Sequence, residues 1–280
     1  MKALPVLHQT VRAREMKKYL TLTRAGIIEA LQFRLSFVVI VVGNLLYLTV
    51  IYFLWKAIYA SAGADRVNGM TFTDTLIYLV LATALFNFME MYTVWEIGRS
   101  IQSGKIVLDI IKPMPYRRYL FWSFTGSFVT QFFLTFLPTF IVVCILTHGT
   151  IRFGVNIPLF ILSVTMGIII NYSIDFIVGT ICLYTESIWG INIMKQVIVL
   201  LFSGAVIPVA FFPETFKKVT FCLPFRAIYD APLSILLSQG TSYPDLLHMF
   251  FVQLIWCVVM TAVSVLFWNV SLRQITVNGG

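Results

Sequence analysis

Three ionisable residues stand where water is scarce. Glu90, Asp175 and Lys195 each fall inside a long apolar stretch of the chain. An isolated charge near the centre of a membrane helix costs ~2.5–3.5 kcal/mol on insertion scales, and pairing or a wet cavity offsets that cost. Counted from the inner ends of their helices at ~1.5 Å per residue, the three depths differ by only ~6 Å. Lys195 is therefore expected to neutralise Asp175 or Glu90 at the inner mouth of a bundle, either as a structural ion pair or as a gate or substrate contact.

Other chemistry is excluded. Gly98-Arg-Ser-Ile-Gln-Ser-Gly104-Lys105-Ile106 looks like a phosphate-binding loop. It has one intervening residue too many, and Ile106 stands where a Mg²⁺-binding Ser or Thr belongs. No buried strand precedes it, so ATP hydrolysis on this chain is not expected. Cys144, Cys182, Cys222 and Cys257 form no C-x-x-C pair, and His8, His148 and His248 are dispersed, so no metal centre or cofactor is expected. An intramembrane enzyme would need an H-E-x-x-H pair or a nucleophile with its base, and the sequence offers neither.

The elements that must hold the charges follow from composition. Of 280 residues 59% are hydrophobic and 11% are charged, against ~45–50% and ~25% in soluble domains. Lipid must solvate much of such a surface. The reading is an all-α integral membrane protein with six spans of ~20 residues or more, near Ser36–Tyr59, Thr75–Trp95, Leu120–Leu146, Ile157–Tyr184, Trp189–Phe211 and Leu246–Val270. Residues 1–35 form a tail with a basic amphipathic helix from about Arg12 to Arg34. In it Met16, Leu20, Ile27 and Leu31 share one face and lie in the interface. Residues 36–270 form the membrane domain, and 271–280 a second tail. The net charge of +8 sits beside apolar segments, which favours anionic lipid over nucleic acid as partner. With both termini in the cytoplasm, thirteen Lys and Arg lie inside and six outside, as the positive-inside rule requires.

Between the second and third spans, Glu96–Ile111 reads as one short amphipathic helix along the membrane. Ile101, Val107, Leu108 and Ile111 would form its apolar side, and Pro113 and Pro115 would end it. It is either a rigid piece that passes a push into the spans or a solvated basic loop. Gly204 and Pro208 near the outer end of the fifth span can loosen that helix.

The ordered set of motifs resembles a known family. A basic N-terminal helix and six spans are accompanied by Ile101-Gln-Ser-Gly-Lys-Ile-Val-Leu-Asp-Ile-Ile-Lys-Pro113, Ser203-Gly-Ala-Val-Ile-Pro208, Phe212-Pro213 and Leu223-Pro224-Phe225. Together they resemble the membrane subunit of a type-2 ATP-binding-cassette (ABC) exporter, in the bacterial branch where permease and ATPase are separate polypeptides. The resemblance implies a coupling helix that docks on an ATPase dimer through Glu96, Arg99, Ile101, Lys105, Val107, Leu108 and Asp109, with a secondary contact near Glu186. It implies an outer re-entrant hairpin at Pro213–Tyr243, and an outer gate at Gly204, Pro208, Pro213 and Pro224. It also implies a second permease subunit, identical or related, with ATP and Mg²⁺ on the partner ATPase and a place in the bacterial plasma membrane. Drugs, lipids, glycolipids and hydrophobic peptides all suit such a path. The competing reading is a proton- or ion-coupled secondary transporter using Glu90 and Asp175, which the lack of a clear internal repeat disfavours.

Overall fold

The computed structural model describes residues 3–32, 34–90, 92–147, 156–185, 188–237 and 243–274. Helix α1 (Ala3–Gln32) is followed by α2 (Arg34–Ala62). A two-residue hairpin, β1 (Arg66–Val67) and β2 (Met70–Thr71), then turns the chain. Its turn is Asn68-Gly69, with φ of 49° and 83°, the left-handed pair that such tight hairpins require. Thr71 begins α3 (Phe72–Met89) with a reciprocal cap: its hydroxyl accepts from the Asp74 amide, and the Asp74 carboxylate accepts from the Thr71 amide.

The second expected span does not run unbroken to Trp95. Glu90 is extended, at φ −64° and ψ 129°, and the helix restarts as α4 (Thr93–Gln102). Gly104, at φ 70°, ends α4 in the left-handed conformation, and α5 (Ile106–Ile110) follows. The third span is continuous from Tyr116 to Leu146. It consists of α6 (Tyr116–Gln131), a π turn (Phe132–Phe136) and α7 (Leu137–Leu146). Pro138 has no N–H for an α-helical register at this junction.

Beyond these come α8 (Asn156–Ile181), α9 (Ile188–Phe202), α10 (Glu214–Phe221), α11 (Asp230–Leu237) and α12 (Tyr243–Ser271). Among the described residues, five helical segments are long and apolar enough to cross a membrane. The expected fifth span is shorter than predicted: α9 has 15 residues, about 22 Å of rise against a hydrocarbon core of ~30 Å. It stops because Gly204 turns left-handed, at φ 77°, and Pro208 follows.

Helix α8 is the centre of the bundle. It packs against α12, α4 and α11 and buries Ile170, Tyr172 and Phe176. From α3 come the buried Leu81, Leu85 and Met89, and from α11 Leu233 and Ile235. Most of α2 is exposed, including Val39, Leu46, Val50 and Phe53. For a chain this apolar, that surface belongs to lipid or to another membrane protein.

Helix α1 lies on α6. Tyr19 stacks on Trp122 at 5.4 Å, and Gly26 meets Gly126 where the backbones cross. The apolar face expected on this helix differs from the packed one. Leu20 and Leu31 are exposed while Gly26 is buried, because only glycines allow this close a crossing.

Candidate functional site

Asp175 on α8 and Lys195 on α9 are drawn together. Lys195 Nζ donates to Asp175 Oδ1 at 2.9 Å, with the Lys195 side chain 11% exposed and Asp175 0%. Asp175 Oδ2 is buried with no hydrogen-bond partner among the described residues. Glu90 makes no ion pair among the described residues. It lies close enough to interact electrostatically with both members. The sequence alternative between Asp175 and Glu90 is thus resolved towards Asp175. The interrupted backbone of Glu90 places it beside the pair.

Helix α4 is wedged against the two helices that carry this pair. A Cβ on Gly179 of α8 would stand 2.7 Å from the Ile97 side chain, and a Cβ on Gly98 would stand 2.6 Å from Ile188 of α9. Glycine at both places lets the helices touch. Ile97 is fully buried, and so is nearly all of Ser100.

Past Gly104 the chain turns back as α5, and here the expected single amphipathic helix is corrected to two. The apolar face is also redistributed. Leu108 is 63% exposed and Ile111 73%, whereas Ile101 and Val107 pack partly against the core. Asp109 is turned inward. It accepts from Lys112 at 2.7 Å and from the Ser100 hydroxyl at 3.4 Å, so it pins the turn instead of facing out. Burial acts to lower the Lys112 ammonium pKa, but hydrogen bonds to Asp109 and Tyr119 outweigh it, and the pKa is raised. Glu96 and Lys105 pair at 3.5 Å across the turn, and Arg99 is exposed.

The opposite end of α3 holds a second polar cluster. Tyr78 donates to the Gly204 carbonyl and to Asp230 Oδ1, both at 3.0 Å. Arg226 Nε donates to Asp230 Oδ2 at 2.7 Å. The Asp230 amide donates to the Ser203 carbonyl at 3.2 Å. These bonds tie the end of α9 to α3 and α11.

A family model described as ABC-2 family transporter protein matches residues 45–279. The chain belongs to the ABC-2 transporter family. Comparison with curated proteins returns no match. The protein is therefore a multi-pass ABC transporter permease, a membrane transport subunit that is not itself the catalytic one. Membership implies an ATPase partner and agrees with the resemblance drawn from the motifs.

In the permease the residues expected at an outer gate are spread along one irregular segment. Gly204 and Pro208 are buried. Pro213 precedes α10, and Pro224 opens a 3₁₀ turn, Pro224–Ala227. Glu186 lies outside the described residues. Tyr78, Arg226 and Asp230 belong to no motif that the sequence singles out. The spacing of Arg226 and Asp230, four apart amid apolar residues, was the available signal.

Proposed function

We propose that this permease serves an ATP-driven exporter of hydrophobic or amphipathic compounds, working as one of two permease subunits above an ATPase dimer. In this reading it sits in the bacterial plasma membrane with both termini cytoplasmic. The segment expected to form the outer hairpin, Pro213–Tyr243, re-enters the membrane from the outer side. The observation that carries the reading is the α4–α5 turn. Its tip offers Leu108 and Ile111 to a partner, while its root is seated against α8 and α9. A push on the tip reaches the Asp175–Lys195 pair through Ile97 and Ile188. Alternating access would follow as the ATPase dimer closes and opens. Support also comes from the engagement of Asp175 with Lys195: of the two carboxylates that an ion-coupled transporter would use, Asp175 is already neutralised by a neighbouring lysine.

The test is co-purification with the partner ATPase. Burying a Leu or Ile side chain is worth ~1.5–3 kcal/mol. The double variant Leu108→Asp/Ile111→Asp should therefore weaken ATPase attachment about a hundredfold and abolish ATP-dependent transport, with the permease still folded. Undiminished attachment in that variant, or substrate movement by the permease alone in vesicles without ATP, would overturn the reading.

A further inference from the structure

At the end of the bundle remote from the α4–α5 turn there is a cavity of about 620 Å³. Pockets for drug-sized ligands run ~300–1,000 Å³, so it has room for one amphiphile of that size. Its floor is apolar, formed by Ile77, Val209, Leu233, Leu237 and Met249. The β1–β2 hairpin and α10 supply its rim.

The charges around it are unequal in kind. Five line the cavity: Arg66, Lys217 and Arg226 against Asp74 and Asp230. The two carboxylates are engaged differently, Asp230 by a cation and Asp74 by neutral donors alone. Asp74 Oδ2 accepts from the amide and hydroxyl of Thr71 at 3.2 and 2.7 Å. Asp230 accepts from Tyr78 and Arg226. Arg226 is in turn held by Asp230 and lies 3.8 Å over the Phe221 ring. The other two cations are not held. Arg66 makes no ion pair among the described residues. Among the described residues Lys217 pairs only with Glu214, at 3.9 Å, whose side chain is 82% exposed. A loose, solvated pair of this kind contributes little and leaves the ammonium available. The result is a cavity of mixed lining in which the two loosely held cations, Arg66 and Lys217, outnumber the one carboxylate, Asp74, that no cation pairs among the described residues.

We propose that this cavity is an anion-selective exit site, in which Arg66 and Lys217 hold the carboxylate, sulfate or phosphate head of an amphipathic substrate over the apolar floor. The assignment rests on the permease reading above and adds the class of its cargo. A site facing the outer medium needs only modest affinity, and two rim cations in high dielectric supply that without trapping the cargo.

The experiment measures binding of dodecyl phosphate to the full-length permease in nanodiscs of pure phosphatidylcholine, with no ATPase and no ATP. Dodecyl phosphocholine is the zwitterionic control. Hydrogen bonds to charged groups are worth ~1.5–3 kcal/mol each. Arg66→Gln/Lys217→Gln should therefore weaken dodecyl phosphate at least about tenfold and leave the control unchanged, and Arg66→Lys/Lys217→Arg should restore it. Equal binding of the two chains by the native protein, or native affinity in the double glutamine variant, would overturn the proposal. Displacement of the probe by phosphatidylglycerol in the disc would also overturn it, since the site would then belong to a bilayer lipid. None of these readings uses the ATPase, so a failed docking test at Leu108 and Ile111 and a failed anion site are told apart.

Discussion

Replacing Lys195 by methionine should cost the permease ~3–5 kcal/mol of stability, the usual penalty for leaving one member of a buried pair behind. Asp175 is wholly buried, and Lys195 is its only ion-pair partner among the described residues. Thermal unfolding of the purified variant in detergent should begin well below that of the native protein, and its yield should fall. Adding Asp175→Asn should recover most of the loss, because a neutral amide in the same place carries no uncompensated charge. If single and double variants unfold alike, the pair is not what the single change disturbs. Transport by the double variant then separates two roles. A recovered fold with lost transport makes the pair part of the moving path, and recovery of both makes it only a tie between α8 and α9.

The second large effect is expected at Gly126. A Cβ there would stand 2.5 Å from the Ile27 amide nitrogen and 2.6 Å from the Gly26 carbonyl carbon. Those are backbone atoms and cannot rotate aside. Overpacking in a close-packed interface typically costs ~1–3 kcal/mol, and a β-branched side chain exceeds what this crossing can absorb. Gly126→Val should detach α1 from α6, and trypsin should then cut at Lys17, Lys18 or Arg24 about ten times faster or more. Gly43→Ala is the control, since a Cβ on Gly43 meets nothing within 4 Å. Unchanged cleavage in Gly126→Val would mean that α1 is not held by this crossing.

Both predictions bear on what the sequence could disclose. The charges were legible because Lys195 and Asp175 stand out against their apolar neighbours, and the cost of burying either alone demands a partner. Which carboxylate would pair was not legible, since Glu90 and Asp175 lie at similar depths. Lys195 pairs with Asp175, and the backbone opens at Glu90, an event that no proline or glycine signals. The ends of α9 and α4 were better marked, by Gly204 and Gly104. Yet a glycine does not announce a left-handed φ until its neighbours are placed, so the sequence alone extends α9 past its end and merges the α4–α5 turn into one helix. The inward turn of Asp109 was hidden for a related reason. A short helix of five residues has too little periodicity to say which side faces the protein. The crossing of α1 on α6 depends on two glycines exactly one hundred residues apart, Gly26 and Gly126, and nothing local joins them.

The π turn at Phe132–Phe136 sets the angular phase of the third span. Its wider register takes up about one surplus residue, and a residue of α-helix is worth about 100° of rotation. Winding the same residues as plain α-helix, with none removed, would leave that residue unabsorbed. Everything from Leu137 to Leu146 would then swing by about that angle relative to Tyr116–Gln131. Val143, now buried, would point elsewhere, and the ring stack of Phe136 on Phe140 and Phe160 would lose its alignment. The span's length answers to the bilayer, while its azimuth hangs on a single inserted residue.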